Sequence, residues 1–405
     1  MTLSETEQFM ENKDGSNSKM KILLLVNSHL PSIGGRELVV HNLAMQYLNY
    51  GHTVTVAGMA GLMRNRHIRF AYPVSRWPVV PRWPLASQLV FGALHAISHR
   101  YDVIHAHATY PNGYVALRLR TFFRAPIVVT PHGEDINIVE SIQFGQRRDP
   151  RQRPLIESTV QRADATTAIS ETVHASLLDA GASESSIHDI ANGVDMKRFA
   201  QPAADSVAER FGLPRGVPLV VSIGNYHERK GHNVLVDAVA AANSRGQKLG
   251  LIIVGRTSAA FCEEVSARGL GGFIKFGGVL PVPDWQGAAP DPLAELLVSS
   301  HIYVSSSVGE GAEGLSLALL EGMAAGACPI VTDISGNRDI VQDGVNGRVV
   351  PPADAGALAD ALCDLLRDEV TRKRLAVAAR KTAGRFSWAA VAEEYLALYR
   401  RLITR

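Results

Sequence analysis

Short apolar runs alternate with longer stretches of mixed polarity along most of the chain, in two series. Each run is brief, apolar and bounded by turn residues, which predicts a buried strand of a parallel sheet. The first series comprises 21–26, 53–57, 102–106, 126–130 and 165–169. The second comprises 218–224, 250–255, 273–278, 302–307 and 328–333. Helical patterns lie between the runs.

The repeated strand–helix alternation predicts an α/β protein with two doubly wound domains. We assign 1–18 to a disordered tail, 19–200 to the first domain, the proline-containing segment 201–217 to a linker, and 218–385 to the second domain. The stretch 386–405 reads as a terminal helix. Open α/β sheets bind ligands at the carboxyl ends of their strands, so we expect a binding cleft between the two sheets.

Composition narrows the class of protein. Among the 405 residues, 46% are hydrophobic and the formal net charge is +2, which is ordinary for a globular protein and gives no reason to expect nucleic acid. The polar N-terminal segment lacks the apolar core of a signal peptide, and no apolar run is long enough for a spanning helix. Three cysteines without a CxxC pair suit a reducing compartment. These features predict a soluble, cytoplasmic protein.

The charge is distributed unevenly in the first domain. No acidic residue lies between Glu37 and Asp102, whereas the same stretch contains six arginines and the segment RWPVVPRWP. Arginine beside tryptophan suits a surface that meets anionic lipid headgroups. We therefore name four candidate contacts with a membrane or an anionic acceptor: Arg76, Trp77, Arg82 and Trp83. The alternative is a proline-stiffened loop whose arginines are merely solvated.

Two glutamates eight residues apart carry the strongest chemical signal. On one continuous helix, Glu313 and Glu321 would be about 80° out of register and about 12 Å apart along the axis, which does not suit an acid–base pair. If Glu313 instead precedes the helix, the amides of Gly314, Leu315 and Ser316 form a helix N-terminus that can hold a phosphate. Glu321 can then accept ribose hydroxyls. Alternatively, the leucines are core and the glutamates a solvated face.

Other motifs are weaker by themselves. Gly34 and Gly35 stand where a loop turns into a helix, which would let the backbone approach a ligand or would serve only as a turn. Neither a GxGxxG nor a GxxxxGK[ST] motif is present at that turn. His105 and His107 alternate on one predicted strand without cysteine or carboxylate ligands nearby, so we assign no metal site.

An ordered set of motifs nevertheless identifies a family. EGLSLALLE resembles the E-x7-E signature of the family 4 retaining glycosyltransferases, and other positions match in order from about residue 21 to 390. They are GGRELVV (34–40), VVTPHGED (128–135), AISE (168–171), NGVD (192–195), GNYHERKG (224–231), SGNRDIV (335–341) and DGVNGRVV (343–350). The resemblance is to bacterial members of exopolysaccharide and capsule assembly. It implies the GT-B fold, in which two Rossmann-like domains face across a cleft and the C-terminal helix crosses back to the first domain.

The resemblance also implies roles for individual residues. The turn at 34–35 would line the donor diphosphate, and His132 would lie near the transferred sugar. Lys230 would neutralise the leaving diphosphate, whose charge grows in the transition state. Glu313 would hold hydroxyls of the donor sugar, and Glu321 the nucleotide ribose. The segment 314–316 completes the donor site, and His132, Lys230 and Glu313 are the candidate catalytic residues.

One departure from the family pattern concerns the cations of this site. The usual arginine of the strand-exit segment is replaced by Asn225, while Arg229 precedes Lys230. Either Arg229 supplies a second positive charge or the site works with one cation. Asp339 stands where the family often has glutamate, and would contact the nucleotide or cap a helix.

These residues predict a retaining transferase that moves a sugar from a nucleotide-diphosphate sugar to a hydroxyl acceptor. The acceptor, bound by the first domain, would be a polyprenyl-diphosphate-linked or other anionic glycan intermediate, reached by peripheral contact at the inner face of the cell membrane. We expect no cofactor, no metal and no nucleic acid. One alternative is a non-catalytic nucleotide-sugar-binding protein on this fold. Another is a glycoside hydrolase with its carboxylates about 5–10 Å apart across a sugar ring.

Overall fold

The structure is a computed structural model that describes residues 18–30, 32, 34–59, 69–203, 206–281, 290–311 and 313–404. The side chains of Met59 and Ser141 are not among the described parts. All of the predicted N-terminal tail except Ser18 lies outside these ranges, as do Arg64 and Arg66 of the acid-free stretch.

The first domain contains a parallel sheet of seven strands. The strands are β1 (Lys21–Val26), β2 (Thr53–Met59), β3 (Val74–Trp77), β4 (Val103–His107), β5 (Ile127–Thr130), β6 (Ala165–Ala168) and β7 (Ile187–Asp189). Their order is β3-β2-β1-β4-β5-β6-β7, so the direction of winding reverses between β1 and β4. Such a reversal opens a crevice at the carboxyl edge of the sheet.

The second domain contains a parallel sheet of six strands. They are β8 (Leu219–Ile223), β9 (Gly250–Val254), β10 (Ile274–Gly278), β11 (Ile302–Ser305), β12 (Cys328–Thr332) and β13 (Arg348–Val350), in the order β10-β9-β8-β11-β12-β13. Here the winding reverses between β8 and β11. The predicted α/β class with two doubly wound sheets is thus confirmed.

Fourteen α-helices connect and cover these strands within the described ranges. In the first domain they are α1 (Gly35–Asn49), α2 (Pro84–Ser98), α3 (Tyr114–Arg118), α4 (Arg120–Phe123), α5 (Arg153–Arg162) and α6 (Glu171–Asp179). The rest are α7 (Val207–Arg210), α8 (His232–Ser244), α9 (Ala259–Ala267), α10 (Pro292–Val298), α11 (Leu317–Ala324), α12 (Ala355–Arg367), α13 (Glu369–Ala383) and α14 (Trp388–Ile403). None of the helices in these ranges has both the length and the apolarity to span a membrane.

Burial on both faces explains the strand sequences. In β1 every residue after Lys21 is buried, since helices cover both sides of the sheet. The strands β3, β7 and β13 lie at sheet edges and were not predicted as strands. In particular β3 includes Trp77, within a stretch that the sequence favours as a loop.

The last helix, α14, packs on the first domain although it follows the second in sequence. Its residues Tyr395 and Tyr399 are buried in the core that also holds Tyr47 of α1. The Tyr399 hydroxyl lies 2.6 Å from His105 Nδ1, and His105 Nε2 lies 2.6 Å from the Thr130 hydroxyl. His105 therefore serves a core hydrogen-bond network that ties the chain's end to β4 and β5.

Candidate active site

The carboxyl edges of the two sheets bring together the motifs that the sequence singles out. Helix α1 begins at Gly35, separated from the end of β1 by eight residues, and Gly34 is its N-terminal capping residue. A Cβ atom added to Gly35 would lie 3.8 Å from Leu317 Cδ1 of the second domain. A Cβ added to Gly133 would lie 3.7 Å from the Gly314 nitrogen. The GG turn and the PHG motif of the first domain thus both face the start of α11.

Glu313 and Glu321 do not share a helix. Ser316 is the N-cap of α11, and its hydroxyl accepts a bond from the Leu319 nitrogen at 3.4 Å. Glu313 lies in the preceding loop, and Glu321 is the fifth helical residue. Leu315 is buried in the second-domain core, so it contributes packing and only its backbone remains for a ligand. This is the loop-and-helix alternative of the two arrangements that the sequence allows, with one correction: Gly314 and Leu315 precede the N-cap, so their amides belong to the loop and the helix itself begins at Leu317.

Glu313 lies at the centre of a cationic cluster. Its Oε1 atom is 2.7 Å from Lys230 Nζ and 3.1 Å from Arg229 Nη1, and it accepts a bond from the Ser307 hydroxyl at 3.1 Å. Burial by itself would raise the pKa of Glu313. The adjacent Lys230 and Arg229 outweigh burial and hold that pKa below its usual value. The carboxyl group is therefore ionised and paired.

A tight turn after β8 holds both cations. The 3₁₀ turn Glu228–Lys230 ends at Gly231, whose φ of +60° is left-handed, and a Cβ there would lie 2.1 Å from the Ser306 carbonyl oxygen. The Ser306 hydroxyl donates to the Lys230 carbonyl at 2.9 Å, and the Val308 nitrogen donates to the Arg229 carbonyl at 2.8 Å. The glycine is required because the turn packs against the backbone of the neighbouring loop.

The position of the missing family arginine has a structural use. Asn225 Oδ1 accepts a bond from the Arg256 nitrogen at 3.0 Å, which joins the loop after β8 to the loop after β9. Arg229, by contrast, contacts Glu313. The second cation of the cluster is therefore supplied by Arg229.

Glu321 is paired with a residue that sequence reasoning did not single out. Arg198 Nη1 lies 2.6 Å from Glu321 Oε1, and the same guanidinium also pairs with both carboxylate oxygens of Asp291. Burial raises the pKa of Glu321, and the nearby Asp291 adds to that effect against the opposing charge of Arg198. Arg198 lies three residues after the end of the NGVD motif, which is the signal that would have located it. A ribose would have to share Glu321 with Arg198.

His132 forms part of a histidine pair on the first domain. Its Nε2 atom lies 3.2 Å from His107 Nδ1, and its backbone nitrogen donates to Asp135 Oδ1 at 2.7 Å. Burial, followed by the influence of His107 and Arg36, lowers the pKa of His132 well below its ordinary value. His107 Nε2 is buried and has no hydrogen-bond partner within the described residues. Both rings are therefore neutral at pH 7.

Polar and aromatic contacts join the domains around this edge. Asn137 Nδ2 donates to the Gly311 carbonyl at 2.8 Å, and the Arg229 guanidinium lies 4.9 Å from the centre of the Phe144 ring. Asp339 Oδ2 accepts a bond from the Glu171 nitrogen at 3.3 Å, where α6 begins. Asp339 thus caps a first-domain helix.

The four candidate membrane residues divide into two groups. Trp77 is only 4% exposed and belongs to the first-domain core, so the prediction that it reaches a membrane is wrong. Its strand β3 turns the indole inward beneath α2. Arg76 is half-buried on the same strand. Arg82 and Trp83 are exposed, and the Arg82 guanidinium lies 5.9 Å from the centre of the Trp83 ring.

No group of three or more potential ligands (His, Cys, Asp or Glu) within the described ranges is arranged to hold a metal ion. The expectation of a metal-independent reaction stays a prediction.

Comparison with known proteins gives the family. The protein-family model described as Glycosyltransferase Family 4 matches residues 33–198 of this sequence. The family model described as Glycosyl transferases group 1 matches residues 217–368. The chain is 30% identical to the phosphatidyl-myo-inositol mannosyltransferase of Mycobacterium tuberculosis over 305 residues, which cover 74% of this chain and 73% of that protein. It is also 30% identical to the D-inositol 3-phosphate glycosyltransferase of Frankia alni, over 75% of each chain.

Among solved structures, Anabaena HepE in complex with UDP superposes with a TM-score of 0.76 at 20% identity, covering 95% of this chain and 100% of that chain. This similarity shows the GT-B fold. The sequence matches and the arrangement of the two domains agree, and the chain belongs to glycosyltransferase family 4 and is a glycosyltransferase of the GT-B type.

Proposed function

We propose that the protein transfers a sugar from a nucleotide-diphosphate sugar to a phosphate-bearing hydroxyl acceptor with retention of the anomeric configuration. One observation carries the proposal: Lys230 and Arg229 converge on Glu313 directly before the N-terminus of α11. Two cations and a helix N-terminus suit a departing diphosphate, because all three become more favourable as negative charge develops on the leaving group.

Each side of the cleft then has a separate task. Lys230 and Arg229 bind the diphosphate from the second domain, and the GG turn at 34–35 approaches it from the first. Glu313, with its lowered pKa, accepts hydrogen bonds from the sugar hydroxyls. Glu321 accepts bonds from the ribose through its carboxylate, which Arg198 orients. His132, which is neutral, offers a hydrogen bond to the sugar without competing for the diphosphate charge.

Retention of the anomeric configuration can arise in two ways. Either the acceptor attacks from the face that the diphosphate leaves, or the reaction passes through a covalent intermediate. Glu313 is a poor nucleophile and a poor base, because two cations and a hydroxyl hydrogen-bond to its Oε1 atom. We therefore propose attack on the leaving-group face. The acceptor hydroxyl forms the new C–O bond as the bond to the diphosphate breaks, and the leaving phosphate oxygen takes the hydroxyl proton.

The acceptor class rests on two supports. The relatives from M. tuberculosis and F. alni are named for phosphatidyl-myo-inositol and D-inositol 3-phosphate, which both carry phosphate beside a sugar-like hydroxyl ring. The first domain of this chain also has an acid-free stretch rich in arginine. We propose an anionic acceptor, lipid-linked by phosphatidylinositol or polyprenyl diphosphate, used in cell-surface glycan synthesis at the inner face of the membrane.

A glycoside hydrolase is the rival chemistry. It needs one carboxylic acid free to protonate a leaving group. The pKa of Glu321 is raised, as such a role requires, but Glu321 is bound to Arg198 and not presented by itself. The hydrolase reading also leaves Lys230 and Arg229 without a task.

The test is a panel of UDP-, GDP- and ADP-sugars with purified protein, following release of the nucleoside diphosphate. Inositol phosphate, phosphatidylinositol vesicles and a polyprenyl-diphosphate glycan serve as acceptors. We expect acceptor-dependent release from one donor, loss of release in Glu313→Ala, and normal release in Glu264→Ala, which removes an exposed carboxylate of α9. NMR of the product's anomeric proton reports retention or inversion. If nucleotide binds but no combination of donor and acceptor gives release of the nucleoside diphosphate, a binding protein is favoured. If free sugar is released without an acceptor, a hydrolase is favoured.

A further inference from the structure

Helix α2 is apolar on two faces, of which the fold uses only one. The inner face packs on the sheet of the first domain: a Cβ added to Gly92 would lie 2.6 Å from Leu119 Cδ1 and 3.0 Å from the Trp77 ring. The outer face carries Val90, Leu94 and Ile97, which are 57%, 55% and 62% exposed. A helix of a soluble protein normally places polar residues on that face.

These residues form one continuous stripe. At about 100° per residue, Val90, Leu94 and Ile97 lie within about 60° of each other around the helix. Trp83 is the N-cap at the start of the same helix. Trp83 is 63% exposed. A bond from the Val80 nitrogen to the Ser87 hydroxyl folds the preceding turn against the helix. The stripe is therefore a rigid ridge about 20 Å long, which we call the α2 ridge (Trp83, Val90, Leu94, Ile97).

Arginines surround the α2 ridge. Arg82 and Arg100 lie at its two ends, and Arg118 and Arg124 flank the short helices α3 and α4 that pack beside α2; all four are exposed. Within the described ranges, none of the four forms an ion pair with an acidic side chain. Phe122, which is also exposed, lies on α4 between the last two arginines. The chain has no acid from residue 38 to 101 that would oppose this charge.

We propose that the α2 ridge is a docking surface for an anionic lipid bilayer. The aliphatic side chains would enter the boundary between headgroups and acyl chains, Trp83 would sit at headgroup level, and the arginines would contact lipid phosphates. A second copy of this chain fits the same surface less well. A two-fold contact through the ridge would bring these arginines against their own copies, without acids to pair them.

This inference deepens the membrane part of the proposed function, because it names the α2 ridge as the membrane anchor in place of Trp77. It does not depend on the transfer chemistry. The matched variants are V90Q/L94Q on the ridge and V370Q/V377Q on α13. The second pair alters two exposed valines of the second domain, of which Val377 is 71% exposed. A third variant, R82Q/R100Q, removes charge only.

Co-sedimentation with phosphatidylglycerol/phosphatidylcholine vesicles measures the partition coefficient. We expect V90Q/L94Q to lower it more than about tenfold, V370Q/V377Q to change it less than about twofold, and R82Q/R100Q to lower it about fivefold per arginine at low salt. Pure phosphatidylcholine should bind the wild type weakly. Equal binding by the wild type and V90Q/L94Q would overturn the proposal.

Two further readouts separate the competing outcomes. If light scattering finds a wild-type dimer that V90Q/L94Q converts to a monomer, the ridge is an interface between copies and the proposal fails. Transfer to soluble inositol phosphate should be unchanged in V90Q/L94Q, because the ridge lies outside the active site. Loss of vesicle binding with intact soluble transfer supports both proposals. Vesicle binding without any transfer would sink only the proposed function.

Discussion

Lys230 Nζ lies 2.7 Å from Glu313 Oε1, and that oxygen is also contacted by Arg229. One carboxylate therefore faces two cations, which leaves a net charge of about +1 where the diphosphate is expected. The pairing orders both cations before a ligand arrives, so that less side-chain entropy is lost on binding.

Lys230→Ala should abolish most transfer. It removes the cation nearest to Glu313, and loss of one preorganised charge at a developing anion typically lowers kcat by about 10²- to 10³-fold. Arg229→Ala should cost less, since Arg229 is the more distant cation. Initial rates of nucleoside diphosphate release measure both effects.

Arg245→Ala is the control for this pair, because Arg245 forms an exposed ion pair with Asp360 in the same domain. It should transfer at the wild-type rate. A Lys230→Ala enzyme that loses affinity for the nucleotide sugar but keeps kcat would show that Lys230 binds the ground state and the transition state equally, which contradicts a role in stabilising the leaving group.

Arg198 should contribute more to stability than an ordinary surface arginine. Arg198→Met leaves Glu321 and Asp291 as neighbouring, partly buried carboxylates without their shared cation, at a cost of about 3 kcal/mol in the free energy of unfolding. Glu321→Gln should cost less, since Asp291 still pairs with Arg198. Urea unfolding at pH 7 compares them.

The double variant Arg198→Met/Glu321→Gln provides the internal check on Arg198. The double variant should have a higher free energy of unfolding than Arg198→Met alone, because Glu321→Gln removes one of the two carboxylates that Arg198→Met leaves unpaired. Additive costs would mean that the two side chains are not energetically coupled.

The free energy of unfolding should decrease as the pH is lowered below 6.5. Burial lowers the pKa of His29 and His232 to about 4, and of His105 to about 3. In the unfolded chain these groups have a pKa near 6.5, so between pH 6.5 and 4 the unfolded state binds protons that the folded state does not. Each histidine then costs about 1.4 kcal/mol per pH unit, or about 4 kcal/mol for three between pH 7.5 and 5.5.

His232→Gln tests how much one of these histidines contributes to the pH dependence of the free energy of unfolding. His232 is buried beside the active-site turn, and its Nδ1 atom has no hydrogen-bond partner within the described ranges. The slope of unfolding free energy against pH should decrease by about 1.4 kcal/mol per unit. His99→Gln, at an exposed position, is the comparison variant. The same slope in His232→Gln and the wild type would contradict the assignment.

Sequence pattern located the interior strands but missed three edge strands. Interior strands such as β1 are covered on both faces and so are apolar throughout, which makes them recognisable. The strands β3, β7 and β13 are only three or four residues long, and their sequences lack a continuous apolar run. Their pairing depends on a neighbour that the local sequence does not contain. Because the local pattern does not predict β3, it also predicts a surface position for Trp77, which the structure buries.

The candidate site was predictable where a motif carries the chemistry. Glu313, Lys230 and His132 lie in motifs, and the structure brings Glu313 against Lys230. Arg198 and the α2 ridge were not found, for different reasons. Arg198 meets Glu321 across 123 residues, a contact that spacing cannot reveal. The α2 ridge could not be found because the sequence of a mostly apolar helix does not reveal which of its faces packs on the core.

Phe144 should control how the domains close. Its ring faces the Arg229 guanidinium at 4.9 Å, so that a first-domain loop touches a cation of the second-domain site. Such a contact is worth about 0.5–1 kcal/mol at a partly exposed position. Phe144→Leu keeps an apolar side chain but removes the ring, and should lower kcat/KM about two- to fivefold by weakening the closed arrangement. Phe122→Leu, an exposed ring on α4, should leave kcat/KM unchanged with a soluble acceptor.

The overall dimensions of the molecule show whether Phe144→Leu weakens domain closure or instead disturbs the fold of a single domain. Small-angle scattering with saturating nucleoside diphosphate should give a larger radius of gyration for Phe144→Leu than for the wild type. Thermal unfolding should change little, because the contact joins two separately packed domains. Equal radii with a lower kcat/KM would instead place Phe144 in direct contact with substrate. Closure would then depend on the remaining contacts, of which the Asn137–Gly311 hydrogen bond of 2.8 Å links the same first-domain loop to the loop after β11.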